Sequence, residues 1–126
     1  MQSKSRRIRL WLTILLLLAG LWFGNYEYRV APIRFDATRW SKVDWDDSLH
    51  RRARMADWLL ENRVLSRMSR AEVISLLGAP MPKGFRDWEF AYNLGPERGL
   101  ASVDNELLVL RFDPDGRVAE AKVVRD

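Results

Sequence analysis

The sequence predicts an α+β fold in which two helices pack on a three-stranded antiparallel sheet (ααβββ), preceded by a single transmembrane or signal-anchor helix. A long run without charged residues follows a basic amino terminus. Two later stretches place apolar residues at helical spacing, and three further stretches alternate apolar and polar residues as strands do. The chain therefore divides into a basic amino terminus with the anchor (1–27), an extended tether (28–47) and one folded domain (48–126).

The predicted anchor is the uncharged run 10–26, which follows Lys4, Arg6, Arg7 and Arg9. At about 1.5 Å per residue this run covers about 25 Å, so flanking residues must help it to span a hydrocarbon core of about 30 Å. A cleaved secretory signal is the alternative, but it needs small residues at its cleavage positions. Cleavage after Gly24 would place Trp22 at the third position back, which favours an uncleaved anchor.

The charges outside the anchor balance. Four of the 21 basic residues precede residue 10, and the remaining 17 match the 17 acidic residues. A domain with no net charge lacks the basic footprint of a nucleic-acid binder. Because basic flanks stay on the cytoplasmic side, we predict a single pass through the cytoplasmic (inner) membrane, with the C-terminal domain in the periplasm. The absence of cysteine excludes a disulfide framework and a cysteine-linked lipid.

The tether contains Pro32 and mixed charges without a helical period. Trp40 and Trp45, the latter among aspartates at 44, 46 and 47, form either a short strand or an arm packed on the domain. We favour packing, because large aromatic side chains are mostly buried.

The first domain helix is predicted from residue 48 onward. Its apolar stripe recurs at spacings of four, three and four and consists of Leu49, Ala53, Ala56 and Leu60. Asp47 or Ser48 can cap its start. Arginines at 51, 52 and 54 alternate with the stripe, and we expect them to form a solvated basic face.

The second domain helix is predicted over 70–77, where the local signals are strongest. Ser69 and Glu72 form a capping box, and Gly78 suits a left-handed exit. The predicted apolar stripe consists of Ala71, Ile74 and Leu77. Including the hydrophobic staple and the terminating proline, the candidate structural motif comprises Met68, Ser69, Glu72, Val73, Leu77, Gly78 and Pro80.

Three strands are predicted after this helix. In 87–94 the apolar residues share one face of the strand, and the opposite face is exposed to solvent. The apolar residues are Trp88, Phe90, Tyr92 and Leu94. Strands 107–112 and 118–124 form a hairpin that leaves Phe112 through Asp113-Pro114-Asp115-Gly116. Proline suits the second position of a type I turn, and Gly116 the left-handed fourth.

The register of this hairpin has two possibilities. Pairing outward from the turn sets Phe112 opposite Val118 and places Leu107, Val109 and Arg111 on the face of the alanine-rich row 119, 121 and 123. A slip of one residue joins Leu108, Leu110 and Phe112 with that row instead. We favour the slipped register for its cleaner apolar face, although the turn chemistry favours the other.

The sequence contains no evident catalytic, cofactor-binding or metal-binding set. The single histidine is His50, and no cysteine is present as a nucleophile or soft ligand. No serine lies in a G-x-S-x-G or S-x-x-K context. We therefore predict a protein that is not an enzyme, with no cofactor and no evident small-molecule substrate.

The connection 95–105 is long for neighbouring strands of a small domain, and such loops are often functional. The candidate partner contacts are Glu97, Arg98, Leu100 and Val103. The alternative is a surface loop whose Leu100 and Val103 fold back onto the core. The exposed sheet edge is a further candidate, because edge strands offer unpaired backbone groups.

Residues 68–80 read Met-Ser-Arg-Ala-Glu-Val-Ile-Ser-Leu-Leu-Gly-Ala-Pro, and a later strand ends in Phe112-Asp113 before Asp115-Gly116-Arg117-Val118. In this order the segments resemble the SmpA/OmlA (BamE-like) family of small envelope domains over about 54–126. The resemblance implies two helices on a three-stranded antiparallel sheet, as in β-lactamase-inhibitor-like domains. It also implies a non-enzymatic periplasmic scaffold, typified by a lipoprotein subunit of the outer-membrane β-barrel assembly machinery.

Two departures from the family affect the expected location. This chain has an apolar anchor in place of the lipidated cysteine, and Arg67 replaces a glycine often found before the motif methionine. These departures favour the inner over the outer membrane. We expect a membrane-anchored protein whose domain binds another envelope protein in envelope assembly or maintenance. The alternative is a small inhibitor or ligand-binding module, in which Trp88, Phe90 and Tyr92 line an apolar pocket.

Overall fold

The computed structural model describes residues 2–42, 47–99 and 103–126 of the chain. The chain divides into two compact units, Met1–Ala31 and Pro32–Asp126. In chain order the elements are α1 (Gln2–Val30), α2 (Ala37–Lys42), α3 (Arg51–Glu61), α4 (Arg70–Leu77), β1 (Phe90–Pro96), β2 (Asn105–Phe112) and β3 (Val118–Arg125).

The first unit contains the helix α1. Its stretch Ser3–Asn25 is 23 residues long with a mean hydropathy of 1.6, which makes it long and apolar enough to cross a membrane. A secretory signal sequence has the same properties. The helix agrees with the predicted membrane segment. It is compatible with both an uncleaved anchor and a cleaved signal.

The second unit confirms the α+β class. Its sheet has the order β1-β2-β3, and both strand pairs are antiparallel. The main core joins helix side chains such as Met55 and Leu59 to strand side chains such as Leu108 and Leu110. A short third helix, α2, adds to the two helices that the sequence predicts.

The segment 28–47 differs from the extended tether predicted for it. Helix α1 continues to Val30, and residues 37–42 form α2, whose Trp40 is 2% exposed. The Trp40 indole Nε1–H donates to the Leu77 carbonyl at 2.9 Å. This burial confirms packing on the domain for Trp40, whereas Trp45 and the aspartates at 44 and 46 lie outside the described residues.

Helix α3 is capped by a carboxylate that the sequence identifies. Asp47 accepts hydrogen bonds from the backbone N–H groups of Leu49 (3.1 Å) and Arg51 (2.7 Å). Ala53 and Ala56 of the predicted stripe are fully buried. Leu59 is buried more deeply than the predicted Leu60 and replaces it in the centre of the core.

The arginines of α3 do not form the predicted solvated face. Arg51 is exposed, but Arg54 is only 8% exposed. The Arg52 guanidinium lies 4.4 Å from the centre of the Trp40 ring and donates to the Asn93 carbonyl at 2.7 Å. The prediction is wrong because the segment around Trp40, treated as a tether, packs over this side of α3. Burial accordingly lowers the pKa of Arg52.

Helix α4 spans the predicted residues, and its capping box is present. The Ser69 hydroxyl accepts from the Glu72 N–H at 3.2 Å, and the Glu72 carboxylate accepts from the Ser69 N–H at 3.4 Å. Gly78 follows with a φ of 85°. Its carbonyl accepts the Tyr92 hydroxyl at 2.9 Å, and burial raises the pKa of that tyrosine to about 12 against the opposing charge of Arg52.

The buried side of α4 differs from the predicted stripe. Val73 and Leu77, four residues apart, are buried, whereas Ala71 and Ile74 are exposed. Apolar residues occur all round this short helix, so periodicity alone leaves its orientation undetermined. The staple residue Val73 sets the buried side instead.

Strand β1 begins at Phe90, three residues after the predicted start. Phe85 and Trp88 pair with each other through backbone hydrogen bonds of 3.2 and 2.9 Å, which turns the chain before the strand. Trp88 consequently packs against Ala91 on one sheet face, whereas Phe90 and Tyr92 pack on the helix-bearing face. The predicted aromatic row of Trp88, Phe90 and Tyr92 is therefore wrong, and the second face is partly covered.

The hairpin combines the two alternative registers. At the turn Asp113 N–H donates to the Arg117 carbonyl at 2.7 Å, and Phe112 pairs with Val118 as the turn chemistry predicts. A bulge at Ala119 then shifts the pairing by one residue, so that Leu110 is opposite Ala121. The slipped register thus holds for most of the hairpin. Gly116 has the predicted left-handed conformation, with a φ of 74°.

Candidate protein-binding surface

The β1–β2 connection is fastened to the domain by Arg98. Its guanidinium pairs with Asp57 of α3 and with Glu106 of β2, the latter with an Nε–Oε2 distance of 2.9 Å. The Arg98 side chain is 16% exposed and that of Glu106 8%. Burial opposes the charge of Arg98, but hydrogen bonds to both carboxylates raise its pKa. The donor groups of the Arg98 guanidinium therefore point into the domain, where Asp57 and Glu106 accept their hydrogen bonds.

The other predicted loop contacts have different positions. The Glu97 N–H donates to the Asp104 carbonyl at 2.9 Å, and its carboxylate pairs with Arg125 at 3.0 Å. Val103 is 84% exposed and does not fold back onto the core. Leu100 lies outside the described residues. Of the three predicted contacts that the structure describes, Val103 is thus the one whose side chain is free for a partner.

The outer edge of β1 is occupied by other parts of the domain. The Ala91 carbonyl accepts from the Met81 N–H at 2.8 Å, and the Asn93 carbonyl accepts from the Arg52 guanidinium at 2.7 Å. The chain after α4 and a side chain of α3 therefore take the positions that an added strand would need. This edge is closed.

The outer edge of β3 is closed only at its start. There the Val118 N–H donates to the Met68 carbonyl at 2.8 Å, and the Val118 carbonyl accepts from the Arg67 N–H at 3.2 Å. At the other end the Asp126 N–H donates inward, to the Asn105 carbonyl at 3.2 Å. Between these ends the described residues leave the edge open, as the alternation of the ladder shows.

Alternate residues of an antiparallel strand direct their backbone groups to the same side. Because Asp126 bonds towards β2, the odd-numbered Ala121, Val123 and Arg125 direct their N–H and C=O groups away from the sheet. Within residues 2–42, 47–99 and 103–126 no backbone group bonds to these three. The unpaired row of three N–H and three C=O groups is the candidate protein-binding surface, called the β3 edge below.

The side chains beside the β3 edge differ between its two faces. On the helix-bearing face Ala121 and Val123 are half-buried against the main core. On the opposite face Glu120 and Lys122 are exposed and of opposite charge. Lys122 lies 4.9 Å from the centre of the Trp88 ring, and its ammonium is 4.0 Å from Glu120. An added strand would meet small apolar groups on one face and two charges on the other.

Two exposed carboxylates tie the hairpin end of the sheet to α4. Glu89 pairs with Arg70 and accepts the Phe112 N–H at 3.3 Å. The hydrogen bond from Arg70 is the main cause that lowers the pKa of Glu89. Glu72 bonds to Ser69, which lowers the pKa of Glu72 most, and pairs with Arg117 at 3.1 Å.

The described residues contain no metal-binding cluster, and their single histidine lacks an orienting partner at Nδ1. No group of three or more His, Cys, Asp or Glu side chains within them could hold a metal ion. His50 stands at the start of α3 with a φ of 51°, and its buried Nδ1 has no hydrogen-bond partner. A general base needs a neighbour that orients its ring, and none of the described side chains does so for this Nδ1.

The β3 edge was predicted only as an unspecified sheet edge. Deciding between β1 and β3 needed the positions of Met81 and Arg52, which are distant from β1 in sequence and carry no local signal. The alternating Glu120 and Lys122 were visible in the sequence, but their face depends on the bulge at Ala119.

In comparisons with known proteins, no family model, no curated protein and no solved structure matches the chain.

Proposed function

We propose that the protein is a single-pass membrane protein whose C-terminal unit binds another envelope protein and catalyses no reaction. The observation that carries the proposal is the β3 edge, an open strand edge in a sheet whose other edge is closed. Strand addition at such an edge is a recurring mode of protein recognition, because backbone hydrogen bonds supply affinity and flanking side chains supply specificity. The apolar stretch Ser3–Asn25 supports the anchoring.

The proposed location is the cytoplasmic membrane, with residues 32–126 in the periplasm. The basic residues before the apolar stretch support this orientation. The proposed role is envelope assembly or maintenance, and its support is the resemblance to the SmpA/OmlA family with its ααβββ arrangement. The resemblance is based on the residues of the capped helix α4 and of the glycine turn of the hairpin.

Site-specific photocrosslinking in cells tests the partner-binding role. A photoreactive residue at Lys122, beside the β3 edge, is expected to give a discrete crosslinked product with an envelope protein. The same residue at the exposed Lys83, next to the closed β1 edge, is the matched control and is expected to give none. Equal products from both positions, or none from Lys122, would contradict the proposed surface.

The anchoring is tested separately. A C-terminally tagged chain is expected to remain with the inner-membrane fraction after alkaline extraction and to retain its amino terminus by mass spectrometry. Release as a shortened soluble form would identify a cleaved signal instead. A product in the outer-membrane fraction would contradict the proposed location.

A further inference from the structure

We propose that the partner of the β3 edge is an antiparallel strand of another protein, in which an apolar, an acidic, an apolar and a basic residue follow one another from the amino to the carboxyl end. This inference rests on the proposed function and specifies its partner.

The backbone decides which positions of an added antiparallel strand form hydrogen-bonded pairs. Ala121 and Val123 direct their N–H and C=O groups outward, so residues directly opposite them form hydrogen-bonded pairs. Their side chains lie on the helix-bearing face, half-buried against apolar neighbours. The residues opposite these two positions therefore point to the same face and need to be apolar.

The charges select the remaining positions. The residue opposite Lys122 lies on the other face, where an acidic side chain is favoured, and the residue opposite Glu120 is favoured as basic. An antiparallel strand meets Val123 first, then Lys122, Ala121 and Glu120. Read from its amino end, its pattern is apolar, acidic, apolar, basic.

The charges and the closed end of β3 disfavour a second copy of this chain as the added strand. Residues 119–122 carry the same pattern, so two β3 edges would pair with Glu120 opposite the Lys122 of the second copy. In that register Val124 of the second copy falls beside Val118, where Met68 and Arg67 already bond. The next two registers set Lys122 against Lys122 or Glu120 against Asp126, which brings like charges together. Self-pairing is therefore disfavoured in each of these registers, and we infer that the occupant is a different protein.

A free peptide lacks the obstructing residues and makes the inference testable. Acetyl-Val-Ala-Glu-Ala-Lys-Val-amide ends before it reaches Val118, whereas acetyl-Val-Ala-Lys-Ala-Glu-Val-amide has the same composition with the charges exchanged. The protein is the 15N-labelled full-length chain in detergent micelles. We expect the first peptide to shift and protect the amides of Ala121, Val123 and Arg125, with an affinity about tenfold above that of the second at low salt.

Variants at the edge separate backbone from side-chain effects. Val123→Pro removes an N–H that points away from β2, so it leaves the sheet ladder intact and is expected to weaken binding of the first peptide more than tenfold. Val123→Ala keeps the N–H and is the matched control, with binding retained. Exchange of the charges in the protein (Glu120→Lys with Lys122→Glu) is expected to reverse the peptide preference.

The outcomes distinguish this inference from the proposed function. Equal binding of both peptides would overturn the charge pattern, and binding that survives Val123→Pro would overturn strand addition. A dimer of the full-length chain that Val123→Pro dissociates would show that the occupant is a second copy. Absence of binding by both peptides would also overturn the inference, while the crosslink from position 122 in cells would still test whether the edge contacts a protein.

Discussion

Replacing Trp40 tests whether residues 32–42 pack on the rest of the second unit. The indole is 2% exposed, donates to the Leu77 carbonyl at 2.9 Å and lies 4.4 Å from the Arg52 guanidinium. Removal of a buried aromatic side chain costs about 3–5 kcal/mol, and the hydrogen bond adds about 1 kcal/mol. We expect Trp40→Ala to cost about 4–6 kcal/mol, most of the free energy of unfolding of a unit this small.

The assay is differential scanning calorimetry of the full-length chain in detergent micelles. At about 4–8 °C per kcal/mol, Trp40→Ala is expected to lower Tm by about 16–48 °C. Trp40→Phe keeps most of the apolar volume but loses the donor to Leu77, so its expected decrease is about 5–12 °C. Thr38→Ala, at an exposed position of the same helix, is the control and is expected to change Tm by less than about 3 °C. Trp40→Ala with a Tm no lower than that of Thr38→Ala would refute the packing of α2 and restore an extended tether.

Four further predictions concern local interactions that stabilise the domain. Ser69→Ala removes the cap of α4 and is expected to lower the free energy of unfolding by about 1 kcal/mol in thermal or denaturant unfolding. An unchanged unfolding midpoint would contradict a helix start at Ser69. Gly116→Val is expected to cost more than Ser69→Ala in the same assay, because a β-branched residue resists a φ of 74°. The lowered pKa of Glu89 stabilises the folded state above its usual value of 4.5, and this contribution is lost as the pH falls through that value towards the folded pKa. Glu89→Gln is therefore expected to flatten the decrease of Tm as the pH falls below 4.5, and an unchanged slope would exclude the linkage. Arg98→Met leaves the buried Glu106 unpaired and is expected to cost about 3–5 kcal/mol. The double variant Arg98→Met with Glu106→Gln removes the unpaired charge and is expected to regain part of this loss; equal destabilisation of the two variants would contradict this.

The elements that the sequence predicts correctly depend on near neighbours. Ser69 and Glu72 are three residues apart, and the turn at Asp113 and Gly116 closes within four, so each can be recognised without knowledge of the rest of the fold. The α+β class follows from the same kind of signal, because helical and strand spacing are properties of short windows. These features carry most of the fold.

The sequence misses one feature that depends on a contact between distant segments and another that depends on a local turn without a sequence signal. Trp40 packs on Leu77 and Arg52, so its segment has no local mark that separates it from a tether. Trp88 leaves the predicted row because the chain turns between Phe85 and Trp88, three residues apart, without glycine or proline between them.

The hairpin shows why two incompatible registers both had support. The turn residues favour Phe112 opposite Val118, and the apolar residues favour Leu110 opposite Ala121. A bulge satisfies both at the cost of one unpaired residue. Neither pattern alone contains the bulge, because it arises from the conflict between them.

The candidate surface also became definite only in three dimensions. Glu97 and Arg98 are charged residues of a long loop, which made them reasonable contacts, yet both pair within the domain. The outer edge of β1 forms hydrogen bonds with Met81 and Arg52. Within the described residues, Ala121, Val123 and Arg125 of the β3 edge have no such bonds. Such a difference cannot be derived from the sequence of one strand.

Photocrosslinking from position 122 in cells, compared between the otherwise unchanged chain and the Val123→Pro variant, tests the central claim most directly. The substitution removes one outward N–H of the β3 edge and is expected to leave the sheet intact, which equal Tm values would verify. We predict a discrete crosslink to an envelope protein that the proline variant loses. A crosslink of undiminished yield in a folded Val123→Pro variant would contradict strand addition at this edge.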